Sequence, residues 1–266
     1  KRPNLKQFLT LSAIAPLLFN SCQSKSKEQQ QQEQPNVLFI MADDMGWKDL
    51  GFMGSQYYET PNIDRLAEQG MVFTNAYANA ANSAPTRACL MSGQYGPRHG
   101  IYTVGNPDRG VDSLRKLISV ENETVLDSGI TTIAEAMERK GYVSASMGKW
   151  HLGNPPESGP KSQGFDVNVA GWKKGHPDSY FSPYKNPSLE NGPKGEYLTE
   201  RITSEAVRFI EEHQKDPFFL YLPYYAVHTP LQAKDSLIEK YKNKEPWNGH
   251  NNPVYASMIH TMDQGV

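Results

Sequence analysis

Residues 36–42 (Asn-Val-Leu-Phe-Ile-Met-Ala) are an unbroken apolar run of β-favouring type, followed by Asp43-Asp44-Met45-Gly46-Trp47. The run shows no polar–apolar alternation, so it predicts a strand buried on both faces, as in parallel sheets covered by helices. The aspartate pair then falls at the carboxyl end of a central strand, where open α/β sheets place their ligands. Adjacent carboxylates repel one another, and a cation between them relieves the repulsion. A solvated turn with an aspartate cap is the structural alternative for the same two residues.

The rest of the chain alternates helix and strand signals. Residues 60–70 predict a short helix capped by Thr60, with Pro61 at its first position, Ile63, Leu66 and Ala67 facing inward, and Gly70 as its stop. Residues 71–77 then predict a strand. Residues 131–141 predict a second capped helix ending in Gly141, with a strand at 142–147. Residues 198–213 are amphipathic, with Ile202, Ala206, Val207 and Ile210 on one face. A buried strand follows at 217–222, and Tyr255, Ile259, Met262 and Val266 share a last helical face. Residues 96–123 read as a long surface segment, in which His99 is solvated or bonds locally. Residues 164–187 read as loop, with Trp172, Tyr180, Phe181 and Tyr184 packing or stacking on a sugar. This alternation implies an α/β domain with a largely parallel sheet.

Residues 81–93 gather chemistry in one short segment. Pro85 suits a first helical turn and Gly93 a helix end, so residues 86–91 can be helical. Ser83 then stands at the helix entrance, where free N–H groups and the positive dipole end favour an anion. Arg87, one turn on, can reach the same anion. The combination suits cleavage of a sulfate or phosphate ester; a Ser-capped helix with a surface arginine is the plain alternative. Further on, Lys149 and His151 stand two apart in a strand-like stretch, an arrangement that turns both to one side. A cation and a proton-transfer group together suit anion capture and acid–base work. Cys89 reads as a small apolar packing residue.

The chain has 266 residues, enough for one large domain or two small ones, and a net charge of −2 implies no nucleic-acid partner. Its two cysteines, Cys22 and Cys89, make neither a disulfide framework nor a zinc site. Lys1, Arg2 and Lys6 form a basic head before an apolar stretch over 8–19 that is too short and interrupted to span a bilayer. Asn20-Ser21-Cys22 then resembles a bacterial lipobox, which implies acylation of Cys22; a plain secretory signal is the alternative. Residues 23–34 are almost all Gln, Lys, Ser and Glu and predict a disordered tether.

The 83–93 pattern, Ser-x-Pro-x-Arg-x-x-Leu-x-Ser-Gly, resembles the signature of the type I sulfatases in its serine-type form. Gly148-Lys149-Trp150-His151-Leu152-Gly153 resembles the family's second signature. The strand-borne Asp43-Asp44 pair, the Glu59–Asp64 block and His228-Thr229-Pro230 after a strand are also similar, and the likeness runs from Pro35 to Val266. It implies an alkaline-phosphatase-like fold, with 35–266 as an incomplete catalytic domain behind a lipoprotein signal (1–22) and tether (23–34). It implies sulfate-ester hydrolysis through a formylglycine, made from Ser83 by a maturase and hydrated to a gem-diol. Asp43, Asp44 and residue 83 would hold calcium. Arg87 and Lys149 would neutralise charge, and His151 and His228 would share proton transfer and sulfate contact. A further strand with more metal ligands would lie beyond residue 266, and without it the sheet would expose an edge. The implied substrate is a sulfated polysaccharide, and the implied location is the periplasm, outer membrane or surface of a bacterium. A phosphoesterase of the same superfamily, or a non-catalytic glycan- or anion-binding lipoprotein with Ser83 unmodified, are the alternatives.

Overall fold

The computed structural model describes residues 34–266. The expected signal sequence, Cys22 and residues 23–33 of the tether therefore lie outside the described residues. Among the described residues four parallel strands form one sheet: β1 (Val37–Met41), β2 (Val143–Met147), β3 (Val167–Val169) and β4 (Phe218–Pro223), in the order β1-β4-β2-β3. Around them lie α1 (Pro61–Gln69), α2 (Ser83–Ser92), α3 (Gly96–His99), α4 (Ile133–Glu138), α5 (Leu198–Glu212), α6 (Asp235–Lys242) and α7 (Pro253–Gly265).

The central strand β4 shows why the sheet needs helices on both sides. Its residues alternate faces. Phe218, Leu220 and Leu222 enter one core with Ile202 and Ala206 of α5 and Met258 and Ile259 of α7. Phe219 and Tyr221 enter a second core with Ala84 and Ala88 of α2, Ala134 of α4 and Trp150. Each fully buried side chain of this kind contributes roughly 1.5–3 kcal/mol, as an upper estimate. Every residue of β4 is buried, which is why its sequence is apolar throughout.

β1 departs from expectation. It is an edge strand of the described sheet, and Leu38 and Phe39 are 46% and 36% exposed. Its unbroken apolar character is matched only by partial burial, at Val37, Ile40 and Met41. Residues 71–77 do not form the expected strand: among the described residues they pair with no neighbour, and Met71, Phe73 and Tyr77 are exposed. A β-type run becomes a strand only where a ladder partner is in reach, and the described sheet offers this segment none. Together with Leu66 of α1, Trp47 and Phe52, residues 71–74, Ala76 and Tyr77 line an apolar groove of about 870 Å³, which none of the predicted site residues lines.

The helix ends correct other expectations. Thr60 precedes α1 but its hydroxyl does not cap it; it donates to Asp64 Oδ1 and accepts from the N–H of Gly51. The free N–H groups of Asn62 and Ile63 are taken instead by the carboxylate of Asp263 on α7. Leu66 is half exposed, as is Val207 of α5, whose inner face runs through Ile202, Glu205, Ala206 and Phe209. α4 does carry a capping box between Thr132 and Glu135. Within 164–187 the short strand β3 replaces part of the expected loop, and Trp172, Tyr180 and Tyr184 are buried packing residues. Of the two readings of His99 the local bonding holds and the solvated one does not: it is buried, with Cys89 Sγ at 3.3 Å, and accepts from the N–H of Ile101.

Candidate active site

Three carboxyl ends of the sheet and one helix N-terminus supply the site. β1 delivers Asp43 and Asp44. Beyond the strands, Asp43 N–H donates to Ala226 O (2.9 Å) and Val227 N–H to Asp43 O (2.7 Å). This continued pairing brings His228 Nε2 to 3.5 Å from Asp44 Oδ2. His228 Nδ1 lies 2.8 Å from the carbonyl of Thr229; a carbonyl only accepts, so that nitrogen carries the proton.

β2 ends at Gly148, which has φ +134°, and a side chain there would stand 2.0 Å from Pro223 O. Only glycine allows that approach, and it lets Lys149 N–H donate to the same carbonyl at 2.8 Å. Trp150 then turns into the core and donates its indole N–H to Ser158 O. His151 adopts φ +63°. Lys149 and His151 do reach one place, but a left-handed turn brings them there rather than strand alternation.

That place is Ser83, the first residue of α2, which runs through Pro85 to a Gly93 cap with φ +65°. Lys149 Nζ lies 3.0 Å and His151 Nδ1 3.3 Å from Ser83 Oγ. Lys149 can only donate, so the serine proton is free to turn toward His151. Arg87 is fully buried and points to the carboxylate of β1: it donates to Asp43 Oδ1 (3.2 Å), Tyr221 Oη (3.0 Å) and Lys149 O (3.1 Å). Lys149 Nζ donates to Asp43 Oδ2 at 2.5 Å. One buried carboxylate thus faces two buried cations, which leaves excess positive charge beside Ser83.

Burial sets the titration of these groups. It pulls Lys149 down to about 8, opposed by Asp43 and helped by Arg87. It pulls His151 down to about 4, with the Lys149 and Arg87 charges adding to the effect. His151 is therefore a neutral imidazole near pH 7, able to accept a proton.

A serine at a helix N-terminus, a buried lysine and the His151 imidazole converge on one point that can receive an anion. The family model described as Sulfatase matches residues 35–266. The chain belongs to the sulfatase family. A Sulfatase from Formosa agariphila is 34% identical to it, over 95% of this chain and 55% of the relative. Human N-acetylgalactosamine-6-sulfatase is 34% identical, over 75% of this chain and 40% of the relative. The crystal structure of Ps i-CgsB in complex with k-i-k-neocarrahexaose superposes with a TM-score of 0.68 at 34% identity, covering 87% of this chain and 53% of that one. The chain spans about half the length of the curated relatives it matches. Its parallel sheet flanked by helices is the alkaline-phosphatase-like fold.

The sulfatase family is metal-dependent. In this sulfatase chain Asp43 and Asp44 offer hard carboxylate oxygens, the donor chemistry that a cation such as calcium takes. Among the described residues no three His, Cys, Asp or Glu side chains converge as a metal site. The pair thus fits such a cation in kind and supplies only part of its coordination.

Ser83, Arg87, Lys149, His151 and Asp43 form one contiguous cluster, and His228 joins it through Asp44. Sequence reading missed Tyr221, which anchors Arg87, and Tyr255, whose hydroxyl donates to Asp49 Oδ2 beneath the Asp44 turn. Tyr221 left one signal, a polar hydroxyl inside an otherwise apolar strand; Tyr255 left none beyond its helical face.

Proposed function

We propose that this chain forms the sulfate-ester-hydrolysing site of a glycan sulfatase, with Ser83 matured to formylglycine. The observation that carries this reading is Ser83 Oγ held by Lys149 Nζ at 3.0 Å and His151 Nδ1 at 3.3 Å at the start of α2. The maturase would remove two hydrogens from Ser83, passing two electrons to an external acceptor. One hydroxyl of hydrated formylglycine would attack sulfur and release the sugar hydroxyl, and the second would then lose its proton and expel sulfate, restoring the aldehyde. Asp43 and Asp44 would hold calcium, which would supply charge neutralisation and lower the pKa of the nucleophile.

The chain's own side chains do the rest. Lys149 and Arg87 keep the pocket cationic, so a sulfate is drawn to residue 83 and the charge developing there is stabilised. His151, neutral near pH 7, accepts a proton at Nδ1. His228, whose Nε2 lies 3.5 Å from Asp44 Oδ2, would contact sulfate or the leaving oxygen. One of the named relatives is an N-acetylgalactosamine-6-sulfatase, and one structural neighbour holds a neocarrahexaose; both support a sulfated carbohydrate as substrate. Export with acylation of Cys22 would place the enzyme at a bacterial envelope, anchored by lipid.

The test uses the full-length protein from its native host. A peptide spanning Ser83 is expected to weigh two hydrogens less than its sequence and to react with a hydrazide. Turnover is expected on a member of a panel of defined sulfated sugars, and an aryl sulfate should be cleaved faster than the matching aryl phosphate. Unmodified Ser83 in active enzyme overturns the mechanism; preference for the phosphate overturns the class. Labelled fatty acid should appear on the protein and vanish with Cys22→Ala.

A further inference from the structure

The segment from Trp172 to Tyr180 touches both site histidines, and it does so four times. The carbonyl of Trp172 accepts the N–H of His151 at 3.0 Å. Gly175 lies against the His151 ring: a side chain at 175 would place its Cβ 2.2 Å from Cε1, 2.4 Å from Nδ1 and 2.7 Å from Nε2. The His176 ring lies 6.1 Å from that of His228 at an interplanar angle of 18°. Tyr180 shares its hydroxyl proton between the carbonyls of Tyr225 (2.7 Å) and His228 (2.8 Å). The segment is itself tied: Lys174 Nζ pairs with Asp178 at 2.6 Å and lies 5.0 Å from the Trp172 ring.

Gly175 is the informative member. Its φ is outside the left-handed region that favours glycine, so its backbone would accept alanine. The restriction on a side chain comes from the space that the His151 ring occupies. His151 itself sits at φ +63°, a conformation uncommon for a side-chain-bearing residue that persists where surroundings over-determine it. The Trp172 carbonyl and the Gly175 wall are such surroundings.

We propose that residues 172–180 are the positioning element for both imidazoles, and that Gly175 is its required residue because the His151 ring stands where a side chain would be. Residue 175 and the Tyr180 hydroxyl act through His151 and His228. The proposal rests on the sulfatase reading for its kinetic consequence, and its geometry can be tested without turnover. A displacement of about 1 Å in a catalytic group can cost on the order of 100-fold in rate.

In the full-length matured protein, Gly175→Ala is expected to lower kcat by about 10- to 100-fold with KM within about twofold, and to shift the imidazole NMR resonances of His151. In a His151→Ala background the same substitution should leave Tm unchanged, because the ring it strikes is gone. If Gly175→Ala alone fails to fold, the double variant should fold. Tyr180→Phe should shift the His228 resonances while leaving those of His151 in place. Unmoved His151 resonances in Gly175→Ala, or an equal Tm loss with and without the His151 ring, would overturn the proposal. Absent turnover in the unsubstituted protein would instead count against the sulfatase reading, with the resonance shifts and the Tm cycle still deciding the positioning role.

Discussion

Lys149 Nζ and Asp43 Oδ2 lie 2.5 Å apart with both side chains out of solvent, and Arg87 takes the other oxygen of the same carboxylate. The cluster is asymmetric: two cations share one anion. Removing Lys149 leaves a neutral Asp43–Arg87 pair, whereas removing the charge of Asp43 leaves two buried cations facing each other. Breaking a buried pair so as to strand a charge costs about 3–5 kcal/mol. With chelator present, Asp43→Asn is therefore expected to lower unfolding free energy by about 3–5 kcal/mol, and Lys149→Met by distinctly less. Denaturant titration of both variants checks this, and the reverse order would show that the cluster is not held by its carboxylate.

Ser83 is half-buried, and its hydroxyl contributes only two side-chain contacts. Ser83→Ala is expected to reduce turnover to background while changing stability by about 1 kcal/mol or less, the net scale of a typical hydrogen bond. Comparing turnover with a thermal melt separates the two effects. Residual turnover near the unsubstituted rate would remove residue 83 from the chemistry.

Gly148 and Gly195 separate two reasons for glycine. Both have positive φ, +134° and +89°, but only Gly148 faces an obstacle, the carbonyl of Pro223, while Gly195 has open space. Gly195→Ala should cost about 1–2 kcal/mol for its left-handed backbone. Gly148→Ala should cost clearly more and also lower activity, because the loop bearing Lys149 must shift. Equal losses in the two variants would mean that the Pro223 approach is unimportant.

Asp263 caps α1 from the other end of the chain, accepting from Asn62 N, Asn62 Nδ2 and Ile63 N while 1% exposed. Asp263→Ala leaves those donors unsatisfied and should destabilise by about 1–3 kcal/mol. Hydrogen exchange should quicken first in α1. Unchanged protection of α1 would argue that water replaces the cap at no cost.

Glu59 offers a pH handle away from the site. Burial pushes its carboxyl upward, but hydrogen bonds and charges from Lys240 and Lys244 outweigh this and bring it from 4.5 to about 2. The unfolded chain therefore binds the proton more readily than the folded one. The stabilisation is full above pH 4.5 and is lost as pH falls toward 2. The group is more than a third exposed, so screening holds the effect to about 1 kcal/mol or less. Melts between pH 6 and 3 should fall less steeply for Glu59→Gln than for the unsubstituted protein, and parallel curves would exclude the linkage.

Local sequence was enough for much of this molecule. Pro85 in the first turn and Gly93 at the end mark α2, the capped start of 131–141 marks α4, and the apolar run of β4 marks a buried strand, because each signal acts through neighbours within a turn or a pleat. The family patterns around Ser83 and Lys149 likewise marked the residues that now cluster. Other features depend on partners distant in the chain. β1 and residues 71–77 have similar composition, yet one is an edge strand and the other no strand, since ladder partners decide the outcome. Thr60 looked like a cap, but Asp263 arrived from α7 to fill that role. His151 reaches Ser83 through a left-handed turn held by the Trp172 carbonyl and the bare Cα of Gly175. A glycine's missing side chain has no sequence signal of its own; only packing reveals that another residue's ring needs the space.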